Sequence, residues 1–419
     1  MDNSVVTYIP STTRSSNATK VGSRSFWMAF CLTIPVVAKI ILPSSFEELL
    51  EIQIFGIPVF LPTLLLLFFF FGSKKNRGDK LLKIVLFLQI AFMLIGFVYN
   101  HYTQKPMALL LAGNYYYYAV ILGLFCRLTL QERYWVERIY SSTLIILGLE
   151  VILLGLGIIK GFGGTVVADE AQSFDDFFRV TTTAGGATGT AVHLYLLTAI
   201  CIMLSESRRW RYILFAFGFS TTLLTVSRGA SLAFMMYFLL WLFFRFREKK
   251  GHKLKLIFGA VAAFALLYAL GVFNPIMERM AIKNQDATMF ESREDRAGIA
   301  LLYFQMADSK LLGVGIANLY HSTEVQHIGI DNEAAPHNSY IQTLCEQGII
   351  GVALFILFWI VFLIINRNNK AILIPIIPLL LVIWNTESSV VSITEFVINI
   401  AVLLMLALDK GRQENLNIL

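Results

Sequence analysis

The feature that most constrains this chain is a succession of apolar runs, each long enough to cross a bilayer. A helical crossing takes about 20 mostly apolar residues, and helix or closed barrel is forced there because lipid offers nothing to satisfy a bare backbone. Runs of this kind fall at 26–43, 53–72, 81–99, 107–126, 139–159, 188–205, 212–227, 229–245, 255–273, 348–365, 371–385 and 389–408. They predict an all-α polytopic membrane protein with about 12 transmembrane helices and leave no room for a large soluble domain. Composition agrees, with 57% hydrophobic and 15% charged residues against about 45–50% and 25% in soluble domains.

The net charge of +6 would suit a nucleic-acid partner only if the basic residues shared one face, and they sit instead in short clusters between apolar runs. No nucleic acid is expected. With the amino terminus inside, 23 Lys/Arg lie on the inner side and nine on the outer, five of those nine in the long segment 274–347. Long loops count little in the positive-inside rule, so both termini are expected in the cytoplasm and this loop outside. The expected organisation is an amino-terminal tail 1–25, helices over 26–273, a catalytic loop 274–347, helices over 348–408 and a tail 409–419. The tail 1–25 lacks the apolar core of a cleaved signal peptide. Cys31, Cys126, Cys201 and Cys345 have neither disulfide nor zinc spacing.

Four segments carry possible chemistry. TVSRGASLAF (225–234) places Arg228 between two spans, where a guanidinium is costly unless paired or hydrated; it is either an anion ligand or a snorkelling structural residue. ESREDRAGIALLYFQMADSKLLGVG (291–315) puts Arg293 and Arg296 on one helical face, suited to phosphate oxygens, although the residues by themselves favour an exposed ion-pair network with Glu291, Glu294 and Asp295 at a helix start. An amphipathic helix and a Gly turn are expected there. APHNSYIQTLCEQGIIG (335–351) brings His337 and Asn338 to the end of the loop, with Glu346 before the next span. A neutral imidazole can act as a base on a hydroxyl near neutral pH, or it can be structural. TTTAGGATGTAVH (181–193) offers Thr188 and Gly189 at a helix start, for phosphate binding or for capping and close packing. Glu150, Glu387 and Glu395 are carboxylates in or beside spans, functional candidates or partners of a buried Arg. No convincing inverted repeat of interrupted helices is visible.

Taken in order, the SRG-type arginine, the Arg-led loop helix ending in LLGVG and the HNSY segment followed by Glu and GIIG resemble the O-antigen ligase and O-antigen polymerase family of bacterial envelope enzymes. The likeness covers about residues 181–365. It implies a GT-C-like fold in the bacterial cytoplasmic membrane with a periplasmic active site. It also implies an undecaprenyl-diphosphate-linked glycan as donor, a second glycan or lipid A core as acceptor, and neither cofactor nor metal. Carried over by residue, it makes Arg228 and Arg296 diphosphate contacts and His337 the base, with Arg293 a second choice for the loop arginine. Asn338, Glu346, Thr188 and Gly189 are the further substrate-binding candidates. Where the family often has Trp and Pro, this chain has Ala300 and Lys310.

The expected reaction is glycan transfer to a sugar hydroxyl, as a polysaccharide polymerase, with ligase as the alternative and a protein O-oligosaccharyltransferase or lipid-linked-sugar flippase behind them. A flippase would place ionisable groups along a mid-membrane path, and Glu150 alone fits that pattern clearly. Other polysaccharide-assembly membrane proteins are candidate partners.

Overall fold

A computed structural model describes residues 23–42, 49–54, 57–76, 79–99, 115–158, 166–168, 178–180, 182–183, 187–248, 293–316, 338–386 and 394–408. The span expected at 255–273, Glu387 and the carboxy-terminal tail lie outside the described residues. In chain order the elements are α1 (Ser23–Ile41), β1 (Glu51–Ile54), β2 (Ile57–Phe60), α2 (Leu61–Gly72), β3 (Lys74–Lys75), α3 (Lys80–Tyr99), α4 (Tyr115–Phe125), β4 (Cys126–Arg127) and α5 (Leu130–Gly155). There follow β5 (Val166–Ala168), β6 (Phe178–Val180), α6 (Ala187–Leu204), α7 (Arg208–Leu224), α8 (Arg228–Glu248), α9 (Arg293–Met306), α10 (Ser339–Ile365), α11 (Lys370–Thr386) and α12 (Thr394–Ala407). The strands make three two-stranded antiparallel ribbons, β1–β2, β3–β4 and β5–β6.

Among the described residues, α1, α3, α5 and α10 are long and apolar enough to cross a membrane, and α2, α4, α6, α8, α11 and α12 contain shorter apolar helices. The side-chain distribution is that of a protein solvated by lipid. On α3, Phe87 is 71% exposed while Gln89 is 0% exposed, the reverse of a helix in water. Helices approach closely where small residues permit, as in membrane bundles generally. Gly123 of α4 lies against Leu404 of α12, and Gly148 of α5 lies under the Phe217 ring of α7.

Several expected boundaries are corrected. The run at 53–72 is helical only from Leu61, because Glu51–Phe60 folds as a hairpin in which Ile52 pairs with Val59. Pro62 near the start of α2 suits the first helical turn, where no amide partner is lost. The run at 139–159 begins earlier, at Leu130, where Thr129 and Glu132 form a reciprocal capping box. It ends at Gly157 (φ 68°), with Ile158 N–H donating to Leu153 O and Gly157 N–H to Leu154 O, the paired bonds of a Schellman stop. The helix expected from 348 starts at Ser339 and is broken at Gly348.

Contacts sort the helix ends into two layers. At one end Ser25 Oγ donates to Gln131 Oε1, β3 pairs with β4, and Arg211 Nε donates to the Ser205 carbonyl. Arg24, Lys74, Arg127, Arg208 and Lys370 belong to this end by position. At the other end Thr183 meets Glu150 and Ile40, and Gly96 of α3 lies against Leu312. The candidate site belongs to this second end.

Candidate functional site

Arg228 is the first residue of α8. The turn before it places Val226 at φ 54°, a backbone region that a β-branched residue enters at a cost of about 1–3 kcal/mol and usually at functional positions. Thr225 and Val226 amides bond to the Thr222 and Leu223 carbonyls, so the hairpin closes tightly and fixes where α8 begins. Beside Arg228, Gly229 touches α11: a Cβ there would collide with Thr386 Oγ1 and stand 2.9 Å from Thr386 Cβ.

Asn338 caps α10. Its Oδ1 accepts from the Tyr340 and Ile341 amides at 3.0 and 3.1 Å, and its Nδ2 donates to Asn385 Oδ1 at 3.4 Å. Asn385 and Thr386 are consecutive, so one short stretch of α11 touches both the Arg228 turn and the start of α10. This wall is shaped by a π turn over Leu379–Ile383 that follows Pro375 and Pro378. Side chains take up the carbonyls around it: Tyr340 OH donates to Leu380 O at 2.8 Å, Asn385 Nδ2 to Leu381 O at 2.8 Å, and Thr386 Oγ1 to Val382 O at 3.1 Å. Trp384 packs beneath, its ring 5.0 Å from both Phe355 and Trp359.

The loop helix reaches the same region through a latch. At Gly348 (φ 69°, ψ −170°) α10 breaks, in a conformation nearly confined to glycine. The break releases backbone groups that the turn after α9 recovers. Val314 N–H donates to Cys345 O (2.8 Å), Gly315 N–H to Glu346 O (3.0 Å), Ile349 N–H to Lys310 O (3.0 Å) and Ile350 N–H to Leu311 O (3.3 Å). Gly313 (φ 71°) stands face to face with Gly348, each occupying the space where the other would carry a side chain. Cys345 Sγ donates to the carbonyl of Ala300, which is itself buried against α10. Lys310 Nζ donates to the Ala307 carbonyl at 3.0 Å, closing the negative end of α9 as a cation does best.

The sequence-nominated residues therefore divide. Asn338 and Gly229, the residue after Arg228, both touch the Asn385–Thr386 stretch of α11. Arg293 and Arg296 belong to the first turn of α9, the helix latched to α10, and their side chains lie outside the described residues. His337, the residue before Asn338, also lies outside them. Glu346 is buried on α10, its Oε1 accepting from Gln342 Nε2 at 3.4 Å. Thr188 and Gly189 sit in the first turn of α6, near a knot in which Thr182 and Thr190 hydroxyls pair at 2.8 Å. Glu150 belongs to that knot: it accepts from the Thr183 amide and hydroxyl at 2.9 and 2.8 Å, so among the described residues its hydrogen-bond partner is a threonine in the turn before α6. The Gly348 break, the π turn and the Asn385–Thr386 wall were not read from sequence. Pro375, Pro378 and the paired glycines were the available signals.

Residues 213–356, about a third of the chain, match the family model described as O-antigen ligase. No curated protein matches the chain. The matched segment runs from α7 through the latch and holds Arg228, Arg293, Arg296, His337, Asn338 and Glu346. It bears out the resemblance to the O-antigen ligase and polymerase family drawn from the three motifs.

Proposed function

We propose, on the premise that residues 213–356 form an O-antigen ligase family segment, that this chain transfers a glycan from undecaprenyl diphosphate to a sugar hydroxyl at the outer face of the cytoplasmic membrane. The supporting observation is the shared wall Asn385–Thr386, which joins the turn carrying Arg228 to the cap residue that follows His337.

In this reading Arg228 and Arg296 hold the donor diphosphate, and fixed cationic donors stabilise the charge that grows on it as the glycosidic bond lengthens. Arg293 supports the same headgroup. Neutral His337 takes the proton of the acceptor hydroxyl. The acceptor oxygen bonds to the anomeric carbon, the bond from that carbon to the phosphate oxygen breaks, and undecaprenyl diphosphate leaves with the bonding pair. The side chains perform this without a metal ion. The acceptor is a second lipid-linked repeat unit, which makes the enzyme a polysaccharide polymerase. The ligase reading, with lipid A core as acceptor, is favoured by the description of the matched family.

The deciding experiment offers the purified full-length protein a defined undecaprenyl-diphosphate oligosaccharide with either acceptor. A ladder of products supports polymerase; a shifted lipid A band supports ligase. His337→Ala is expected to lower the rate about 100-fold or more, the usual worth of a general base, and Arg228→Ala and Arg296→Ala to lower it comparably. Wild-type rates in all three variants would remove the assignment.

A further inference from the structure

At the end of the bundle opposite Arg228 a small cavity of about 130 Å³ opens between α6, α7, α8 and α11. Its wall is aromatic and aliphatic, with Phe215, Tyr237, Phe238 and Trp241 along it and Ile374 beneath, and its rim carries Arg208 and Arg211. An apolar cavity of this size holds water poorly and takes hydrocarbon readily. Its mostly aromatic and aliphatic lining offers few partners for the hydroxyls of a glycan or a nucleotide and suits a hydrocarbon chain that lies partly in the groove and partly outside it. The 17 residues of α7 separate the rim from the Arg228 turn, a distance of about 25 Å along the helix axis. This is a second place on the molecule, apart from the donor diphosphate.

The arginines are held in place. Arg208 Nε donates to Tyr212 OH at 3.0 Å, and Arg211 Nε donates to the Ser205 carbonyl at 2.8 Å. Arg208, Arg209 and Arg211 outnumber the one acid beside them, Glu206. The larger cavity at this end, of about 1510 Å³, is lined by five basic residues, Arg24, Lys74, Arg127, Arg133 and Arg138, interleaved with Glu132, Glu137 and Glu206, so it carries both signs of charge and lacks a continuous aromatic wall. The small groove combines one sign of charge, from Arg208 and Arg211, with a largely apolar aromatic wall.

We propose that this groove binds one anionic phospholipid, its phosphate at Arg208 and Arg211 and an acyl chain along Phe215, Phe238 and Trp241. A zwitterionic lipid offers the same chain and phosphate but brings a cation to a cationic rim, so charge complementarity selects the anionic class.

The test uses the full-length protein in detergent and phosphatidylglycerol or phosphatidylcholine carrying brominated acyl chains, which quench nearby tryptophan. Brominated phosphatidylglycerol is expected to quench the wild type more than brominated phosphatidylcholine. Arg208→Gln with Arg211→Gln is expected to weaken phosphatidylglycerol roughly 30-fold, the worth of two interfacial cations, while leaving phosphatidylcholine as it was. Trp241→Phe keeps an aromatic wall and is expected to lose the groove's share of the quenching. Inorganic phosphate alone is expected not to displace the lipid. Equal quenching by the two lipids, a preference that survives in the double variant, unchanged quenching in Trp241→Phe, or displacement by phosphate would each overturn the proposal.

Discussion

Replacing Gly348 by Ala tests whether the broken helix holds the loop in place. Two costs follow from the geometry. The backbone at φ 69°, ψ −170° is one that an L side chain enters at about 1–3 kcal/mol. The new Cβ would also collide with the Leu311 carbonyl and stand 2.6 Å from the Gly313 nitrogen, and these are backbone atoms that cannot swing away as a side chain can. If the latch opens to relieve the clash, its four hydrogen bonds are lost at about 1 kcal/mol each. The penalty is therefore expected between about 2 and 6 kcal/mol, enough to shift the latch from mostly closed to mostly open if its own stability is of that order. Hydrogen exchange at Val314, Gly315, Ile349 and Ile350 reads the opening, and glycan transfer reads its effect on the site. Both are expected to change together, with the bundle otherwise protected. Gly298 is the control: it lies inside α9 with nothing near its missing Cβ, so Ala there is expected to be neutral or to stabilise the helix by up to about 1 kcal/mol. Native exchange rates in Gly348→Ala, or equal damage from Gly298→Ala, would refute the reasoning.

Gly229→Ala is expected to push the start of α8 off α11 and reduce transfer, and Thr386→Ala, which removes the colliding Oγ1, is expected to restore part of the rate in the double variant; independent, additive losses would count against the shared wall. Glu150→Ala leaves the Thr183 amide and hydroxyl without their acceptor and is expected to lower thermal stability by about 1–3 kcal/mol while donor affinity stays unchanged, whereas a loss of affinity with full stability would give this carboxylate a substrate role.

The bundle was legible where a helix is apolar throughout: α6 and α12 fall within a few residues of the runs that announced them. The amino-terminal extension of α5 was missed because Glu132, Arg133, Glu137 and Arg138 look like loop charges, although Thr129 and Glu132 carried the capping box in plain letters. Residues 53–60 of the hairpin were taken for membrane helix because an apolar-rich run gives little period by which to tell strand from helix, although Gly56 and Pro58 within it were turn signals. Arg228, Arg293, Arg296 and His337 stand out by residue type, since charge beside apolar sequence is costly. Asn385 and Thr386 do not, because a small polar pair at the end of a span has many ordinary uses. The break at Gly348 was hidden for another reason: a lone glycine in a helix costs only about 1 kcal/mol, and what turns it into a break is a segment more than thirty residues earlier in the chain that docks against it.

The π turn in α11 sets an angle. A helix that closes one turn on the wider i→i+5 pattern accommodates an extra residue, and at 3.6 residues per turn one residue amounts to about 100° of rotation about the axis. Everything after Ile383 is thus swung by roughly a quarter of a circle relative to Lys370–Pro378, which brings Asn385 and Thr386 round to confront Asn338 and Gly229. The span behaves like a key with an offset bit: its shaft packs in the bundle in one orientation, and its tip engages the cap and the hairpin in another.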